Sequence, residues 1–156
     1  MKTIITVVLA MTATAALCAA AGAPNFSGDW TLDATKSDFG PMPPPSTMTL
    51  KVEHSDPALT VTDVRTGGAQ GDSSVVSKYS TDGKETTNEM MGAATKSTAK
   101  WDGKALLIAT SADFQGMAIT INMKFTLSDD GKVLTDAWHL VTPQGEFDLT
   151  YVLNKK

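Results

Sequence analysis

The pattern that most constrains the fold of this chain is the alternation of apolar and polar residues in short runs between glycine-bearing turns. In the longest run, from Met117 to Leu127, apolar residues occupy every second position and alternate with residues such as Thr120 and Lys124. A period of two places successive side chains on opposite faces of a strand. Beyond Pro24 no stretch has convincing helical spacing of its apolar residues. The alternation therefore predicts an all-β protein.

Strands of this kind recur along the chain at regular spacing. We expect them near residues 29–33, 48–54, 59–66, 74–80, 85–90, 96–101, 106–112, 117–127, 134–142 and 146–153. The tripeptide Asp-Gly-Lys separates three pairs of them, at 82–84, 102–104 and 130–132, and Asp-Gly is a strong hairpin signal. Tight turns between successive strands favour an up-and-down antiparallel meander of about 8–10 strands, which avoids exposed edges by closing into a barrel. A two-sheet sandwich is the alternative, and it would require longer crossovers.

One segment departs from this regularity. Residues 34–46 contain four prolines and cannot form a central strand or a helix interior. We expect an extended connection that lies across one end of the barrel.

The first 21 residues have the layout of a secretory signal peptide. A positive charge at Lys2 precedes an apolar stretch that ends at Leu17, and Ala19 and Ala21 supply the small residues of a cleavage site. We expect cleavage after Ala21, so that residues 22–156 form a single β-barrel domain of an exported protein, periplasmic or extracellular. A lipoprotein anchor would instead use Cys18, but leucine precedes it where a small residue is required.

Composition excludes several function classes. The chain has 17 acidic and 13 basic residues, a net charge of −4, so it lacks the clustered cations that nucleic acid requires. No apolar run of about 20 residues follows the first two dozen positions, so we expect no transmembrane segment. The only cysteine lies in the predicted signal peptide, which leaves no covalent partner through cysteine. Since no phosphate loop, dinucleotide fingerprint or metal-ligand cluster is present, we expect no cofactor and no metal.

The start of the predicted domain resembles the first strand of the calycin superfamily. Residues 25–32 read NFSGDWTL, with KSDF at 36–39. Lipocalins and fatty-acid-binding proteins open on a similar Gly-x-Trp pattern, in which the tryptophan closes the base of the barrel. The whole domain is similar to small exported lipocalin-like proteins of bacteria. This resemblance implies a lipocalin-like barrel with a structural Trp30 and a small apolar ligand.

The chain departs from these families at its end. Lipocalins usually carry an arginine there that packs on the tryptophan, whereas this chain has Lys155 and Lys156. Fatty-acid-binding proteins hold a carboxylate with an Arg-x-Tyr pair on the last strand, which here reads Leu149-x-Tyr151. The resemblance therefore implies the fold but not the carboxylate clamp.

Few polar residues are candidates for chemistry. Arg65, the only arginine, shares a strand face with Asp63, so the two form an internal pair if that face points inward, or two solvated charges if the strand emerges at the rim. His54 and Asp56 can orient a general base or belong to a turn. His139 is a metal or haem ligand in a lined cavity, or a wall or surface residue.

Three hypotheses follow for function. The first is a secreted, non-enzymatic binding protein for a small, mainly apolar, lipid-like molecule. The second is an interaction module of the cell envelope with a filled barrel, which binds through the proline-rich segment or a sheet face. The third is a cavity enzyme, an isomerase or hydrolase, which requires a strongly shifted titration near Asp63, Arg65 or His139. For the first hypothesis we predict no catalytic residues and the following ligand-binding residues: Arg65, Met117, Ile119, Ile121, Met123, Phe125, Phe147, Leu149 and Tyr151.

Overall fold

The computed structural model describes residues 22–68 and 71–156, so the predicted signal peptide and its cleavage site lie outside the described residues. The described chain contains ten strands: β1 Gly28–Leu32, β2 Thr47–Ser55, β3 Ala58–Thr66, β4 Ser73–Ser80, β5 Thr86–Met90, β6 Ala93–Asp102, β7 Ala105–Phe114, β8 Met117–Leu127, β9 Val133–Thr142 and β10 Gly145–Lys155. They confirm the predicted all-β class, and each predicted strand is present. No helix in this part of the chain is long and apolar enough to cross a membrane.

The ten strands form one antiparallel sheet in the order β4-β3-β2-β1-β10-β9-β8-β7-β6-β5. Successive strands pair along the chain, and the first strand pairs with the last, with Trp30 opposite Lys155 and Leu32 opposite Leu153. The predicted meander is thus confirmed, and it closes nearly completely into a barrel. We call the end where β3 ends and β10 begins the mouth, and the opposite end the base.

The barrel has a seam between β4 and β5, the two ends of the strand order. The side-chain amide of Asn88 in β5 crosses it. Its oxygen accepts a hydrogen bond from the Lys78 N–H at 2.7 Å, and its nitrogen donates to the Lys78 carbonyl at 3.0 Å. One asparagine thus replaces a backbone ladder at the seam.

The turn before this seam differs from its expected role. Asp82-Gly83-Lys84 was expected to close a hairpin, but β4 and β5 do not pair as neighbours in the sheet. The loop makes other backbone contacts instead: Thr81 donates to the Pro57 carbonyl at 2.8 Å, and Asp82 forms an isolated bridge with Lys100 of β6. The loop therefore crosses the base of the barrel.

Aromatic side chains close the base. Phe26 is fully buried and stacks on the rings of His54 and Trp101, each with its centroid 5.7 Å away, while Phe125 meets it edge-on at 5.8 Å. Trp30 is also fully buried, and its indole N–H donates to the Phe26 carbonyl at 3.0 Å. These contacts give Trp30 the structural role that the calycin resemblance implied.

A contact with Lys155 explains the glycine of the Gly-x-Trp pattern. The Lys155 ammonium lies 5.2 Å from the centre of the Trp30 ring, so lysine covers the tryptophan where lipocalins use arginine. Gly28 has φ = +145°, and a Cβ there would lie 2.7 Å from Lys155 Cε. Glycine at 28 therefore allows the lysine to reach the ring.

The segment 33–46, which we call the strap, lies along the mouth. Asp38 and Thr150 exchange two backbone hydrogen bonds of 2.8 and 2.7 Å, which extends the pairing of β10 beyond the short β1. At its other end the strap joins the β2–β3 ladder, where Ser46 donates to the Thr66 carbonyl at 2.8 Å. The strap thus crosses one end of the barrel, as the prolines predicted.

Candidate ligand-binding site

Strands β8 and β10 supply much of the interior wall. The alternation of these strands turns seven of the predicted ligand-binding side chains inward. Five of these are 2–6% exposed: Ile121, Met123, Phe125, Leu149 and Tyr151. The other two, Ile119 and Phe147, are partly buried and pack against this core nearer the mouth.

Met117 lies at the rim of the mouth rather than within the buried wall, and its role in ligand binding stays a prediction. It is the first residue of β8, directly after the Gln115-Gly116 turn, and it is 44% exposed. Its sulfur accepts a weak hydrogen bond from the Gln144 side chain of the neighbouring turn at 3.8 Å. Alternation predicts the face on which a residue lies but not the level at which a strand leaves the core.

Asp63 and Arg65 form an inward-facing pair near the mouth. The Arg65 Nε and Nη2 atoms donate to Asp63 Oδ2 at 2.9 and 2.6 Å, and the two side chains are 20% (Asp63) and 19% (Arg65) exposed. Burial alone would lower the pKa of Arg65, but the Asp63 carboxylate outweighs burial and raises it above its ordinary value. Of the two alternatives for this strand, the internal pair is the one observed.

Two aromatic rings complete the surroundings of Arg65. Its guanidinium carbon lies 4.8 Å from the centre of the Tyr151 ring and 5.5 Å from that of Trp138, and its Nη1 donates to the Tyr151 hydroxyl at 3.2 Å. The two rings meet edge-on at 5.6 Å. The arginine absent from the last strand is therefore replaced beside Tyr151 by one from β3.

Asp136 is the most perturbed group of the interior. It lies opposite Tyr151 in the β9–β10 register and is 2% exposed. Burial raises the pKa of its carboxyl to about 7, against the opposing effects of Trp138 and Arg65 and with a further contribution from the charge of Asp63. The Trp138 indole N–H is near enough to this carboxyl to lower its pKa, but within the described residues neither Asp136 Oδ1 nor the indole nitrogen makes a hydrogen bond of good geometry. Two buried polar atoms, two residues apart on one strand face, are thus unsatisfied.

Tyr79 of β4 adds a phenol to this interior. Burial raises its pKa to about 12, and the negative charges of Asp136 and Asp63 act in the same direction. Burial likewise raises the pKa of Tyr151. Both phenols are therefore neutral at physiological pH and act as hydrogen-bonding groups rather than as charges.

A small cavity at the mouth reaches Arg65 and Tyr151. It has a volume of about 50 Å³ and lies between Phe39, Met42 and Pro43 of the strap and Arg65 and Tyr151 of the interior. Phe39 meets the Tyr151 ring edge-on at 5.9 Å. Since a water molecule occupies about 30 Å³ in the liquid, this space suits one or two waters in the closed arrangement.

A larger groove lies on the outer face of β6–β10. It has a volume of about 740 Å³, and short side chains such as Ala109 and Ala137 form its floor between the longer Lys100, Lys124 and His139. His139 is 41% exposed, and its Nδ1 lies 2.8 Å from Asp148 Oδ1. His139 is therefore a surface residue and not a ligand inside the barrel. The residues that the structure describes contain no cluster of three or more His, Cys, Asp or Glu suited to a metal ion.

His54 serves the fold. It is 8% exposed, its Nδ1 accepts a hydrogen bond from the Phe26 N–H at 3.2 Å, and its Nε2 lies 2.9 Å from Asp56 Oδ1. Since Nδ1 accepts, the proton of the neutral ring resides on Nε2 and is donated to Asp56. The Thr81 hydroxyl also donates to this carboxylate, and it is the main reason why the pKa of Asp56 is lowered. Of the two alternatives for His54 and Asp56, a general base or a part of the turn, the structure shows the second.

Sequence reasoning missed Asp136 and Trp138. The strand that contains them was expected, and alternation from Leu134 places 136, 138 and 140 on the buried face. An acidic residue between two buried leucines is the signal that would have identified the site. Its meeting with Arg65, 71 positions earlier, depends on barrel closure and is not visible in local sequence.

Solved structures share this fold. One is zebrafish ileal bile acid-binding protein complexed with cholic acid, with 16% sequence identity, a TM-score of 0.57, and coverage of 84% of this chain and 98% of that one. Another is a secretory abundant heat soluble protein from Ramazzottius varieornatus, with 10% identity, a TM-score of 0.53, and coverage of 83% and 94%. No family model and no curated protein matches the chain. These likenesses show the fold alone, an antiparallel meander closed into a barrel, which is the architecture that the sequence predicted.

Proposed function

We propose that this chain is a non-enzymatic binding protein that takes up a small, mainly apolar molecule inside the barrel. The observation that carries the proposal is the polar cluster of Arg65, Tyr151, Asp136 and Trp138 within otherwise apolar walls. An interior that served stability alone would be better filled by apolar side chains, because buried polar atoms without partners destabilise the fold. Orienting polar groups in an apolar enclosure are typical of small-molecule sites.

Similarity of fold supports a binding function in general, without naming the ligand. The zebrafish protein of similar fold is named for binding bile acid and is complexed with cholic acid. For this chain, affinity would come from burying ligand surface against the β8 and β10 walls, at about 25 cal/mol per Å².

Binding of this kind requires the mouth to open. A cavity of about 50 Å³ is far below the roughly 300–1,000 Å³ of ordinary ligand sites. The strap covers this cavity and is held to β10 by the Asp38–Thr150 hydrogen bonds. Movement of the strap and of flexible side chains such as Met42 would enlarge the space.

The test is native mass spectrometry of the mature protein from its exported fraction, without detergent. A discrete added mass that disappears on denaturation is the expected result. A ligand-free mass, together with no uptake of an uncharged apolar fluorescent probe, would refute the proposal.

A second candidate is the envelope interaction module, and the outer groove favours it. The groove is much larger than the mouth cavity, and Lys100 and Lys124 flank it on a protein of net negative charge. Under this alternative the barrel stays filled, and variants at Lys100 and Lys124 lose a protein partner while probe uptake is absent from the start.

We propose further that the chain is exported, on the basis of its first 21 residues. Amino-terminal sequencing of the protein from the producing cell tests this point. A mature chain that begins at Gly22 is expected, and an uncleaved chain in the cytoplasm would overturn it.

A further inference from the structure

We propose that the barrel interior selects amphiphiles whose head group is a protonated amine, held by the Asp136 carboxylate below the Arg65 guanidinium. The inference rests on the proposed function, because it names the ligand class of the same site. It concerns which head group binds, whereas the proposed function concerns whether an apolar molecule binds at all.

Arg65 is already engaged and is a poor partner for an anion. Two of its nitrogens donate to Asp63, and a third donates to Tyr151. The Tyr151 and Trp138 rings lie near its guanidinium. A ligand carboxylate would have to displace Asp63 and leave that carboxylate buried without its partner, which is strongly unfavourable.

Asp136, in contrast, has an acceptor that, in the described chain, only the Trp138 indole N–H approaches, and without good hydrogen-bond geometry. It is 2% exposed, and its Oδ1 atom has no hydrogen-bond partner among the described residues. A protonated amine supplies three donors and a positive charge on a compact group. Such a head group satisfies the free acceptor and leaves a hydrogen bond for the Tyr79 or Tyr151 hydroxyl.

The charges of the interior point in the same direction. With Asp136 ionised, the cluster holds Asp63, Asp136 and Arg65, a net charge of −1, so a cationic ligand brings the sum to zero. A carboxylate ligand brings it to −2. In a buried site of low dielectric, like charges interact more strongly than at the surface, so the two ligands are well separated in affinity.

The groups that face Asp136 come from several strands. Asp63 and Arg65 lie on β3, Tyr79 on β4, Trp138 on β9 and Tyr151 on β10. Arg65 is the only cation among these groups, and the Asp63 carboxylate already pairs with it. The raised pKa of Asp136 indicates that this one cation does not compensate for its burial.

The experiment compares ligands that share a decyl chain and differ only in the head group. Decylamine, 1-decanol and decanoate are titrated into the mature protein at pH 7.5, below their micelle concentrations, by displacement of an uncharged fluorescent probe. We expect decylamine to bind at least about tenfold more tightly than decanoate, with the alcohol between them. Decanoate that equals or exceeds decylamine overturns the inference, although the proposed function would stand. If the probe and all three compounds fail to bind, the proposed function fails as well.

A variant and a pH series separate Asp136 from general charge effects. D136N keeps the shape of the side chain and is expected to abolish the preference, so that decylamine and 1-decanol bind with about equal affinity. D102N, an exposed control at the base, is expected to leave the ratio of the two affinities unchanged. The affinity for decylamine is expected to fall about tenfold per pH unit below pH 6.5, because the amine must then displace a proton from Asp136. A preference that survives in D136N, or an affinity that does not change with pH, would overturn the inference.

Discussion

The buried carboxyl of Asp136 makes a specific contribution to the pH dependence of folding. Its pKa is about 7 in the folded protein, against an ordinary value of 3.8. Between these values the unfolded chain has lost the proton that the folded protein retains. The contribution of Asp136 to the free energy of unfolding therefore falls as the pH rises from about 4 to about 7, and it is constant above that range. A shift of about three units corresponds to about 4 kcal/mol, at 1.36 kcal/mol per unit.

The substitution D136N removes this dependence. The amide does not titrate, so the cost of burying it is the same at every pH. We expect the free energy of unfolding of D136N, relative to the unmodified protein, to increase by about 4 kcal/mol between pH 4 and pH 8. Urea unfolding of both proteins at unit pH intervals and constant salt measures the difference.

The comparison needs a matched surface variant. Other carboxyls also titrate in this range, and the pKa of Asp56, for example, is lowered by its hydrogen bond from Thr81. These groups contribute equally to both proteins and cancel in the difference. D102N removes a charge at an exposed position and is expected to show a flat difference. If D136N gave the same flat difference, the carboxyl would titrate normally and the argument from burial would be refuted.

Three further substitutions test the fold. Ile121→Asp places a charge at a position that is 4% exposed and is expected to abolish folding, whereas Thr120→Lys on the outer face changes the urea midpoint little; equal effects would contradict the inward assignment. Asn88→Ala removes the two hydrogen bonds to Lys78 across the seam and is expected to lower the free energy of unfolding by about 1–3 kcal/mol. It should also speed hydrogen exchange of the Lys78 amide. Exchange at the original rate would show that the seam is closed by other contacts. Lys155→Ala uncovers Trp30 and is expected to lower the free energy of unfolding by about 1 kcal/mol and to shift the tryptophan fluorescence to the red. Lys155→Arg retains the cation and should show no shift. A red shift in both variants would count against the stacking role of Lys155.

The strands were predictable from sequence because each depends on local pattern. Alternation predicted β8 and β10, and glycine residues marked the turns. In the turn between β7 and β8, for example, both Gln115 and Gly116 have positive φ. Closure was also predictable, because tight turns between successive strands leave the first and last strands free to pair.

The polar cluster was only partly predictable, because it is assembled across the barrel. Local sequence placed Asp63 and Arg65 on one face but left open whether that face was buried. Register between distant strands decides this, and it also brings Arg65 to Tyr151, 86 positions away. The perturbed carboxyl that the enzyme hypothesis required is present, but it is Asp136 rather than the residues that sequence suggested. The outer position of His139 removes it from that role.

The asparagine between β4 and β5 has a consequence for how the molecule deforms. Pulling β9 away from β10 breaks a ladder of ten residue pairs, whereas parting β4 from β5 breaks the two hydrogen bonds of one side chain. Each bond contributes about 1 kcal/mol, so the wall parts far more easily at this seam. Mechanically, the barrel wall has one weak line, the seam between β4 and β5, and is otherwise continuously hydrogen-bonded. Its circumference can therefore widen along this one line more easily than along the β9–β10 ladder, so that the lumen can expand at the seam when the strap moves at the mouth.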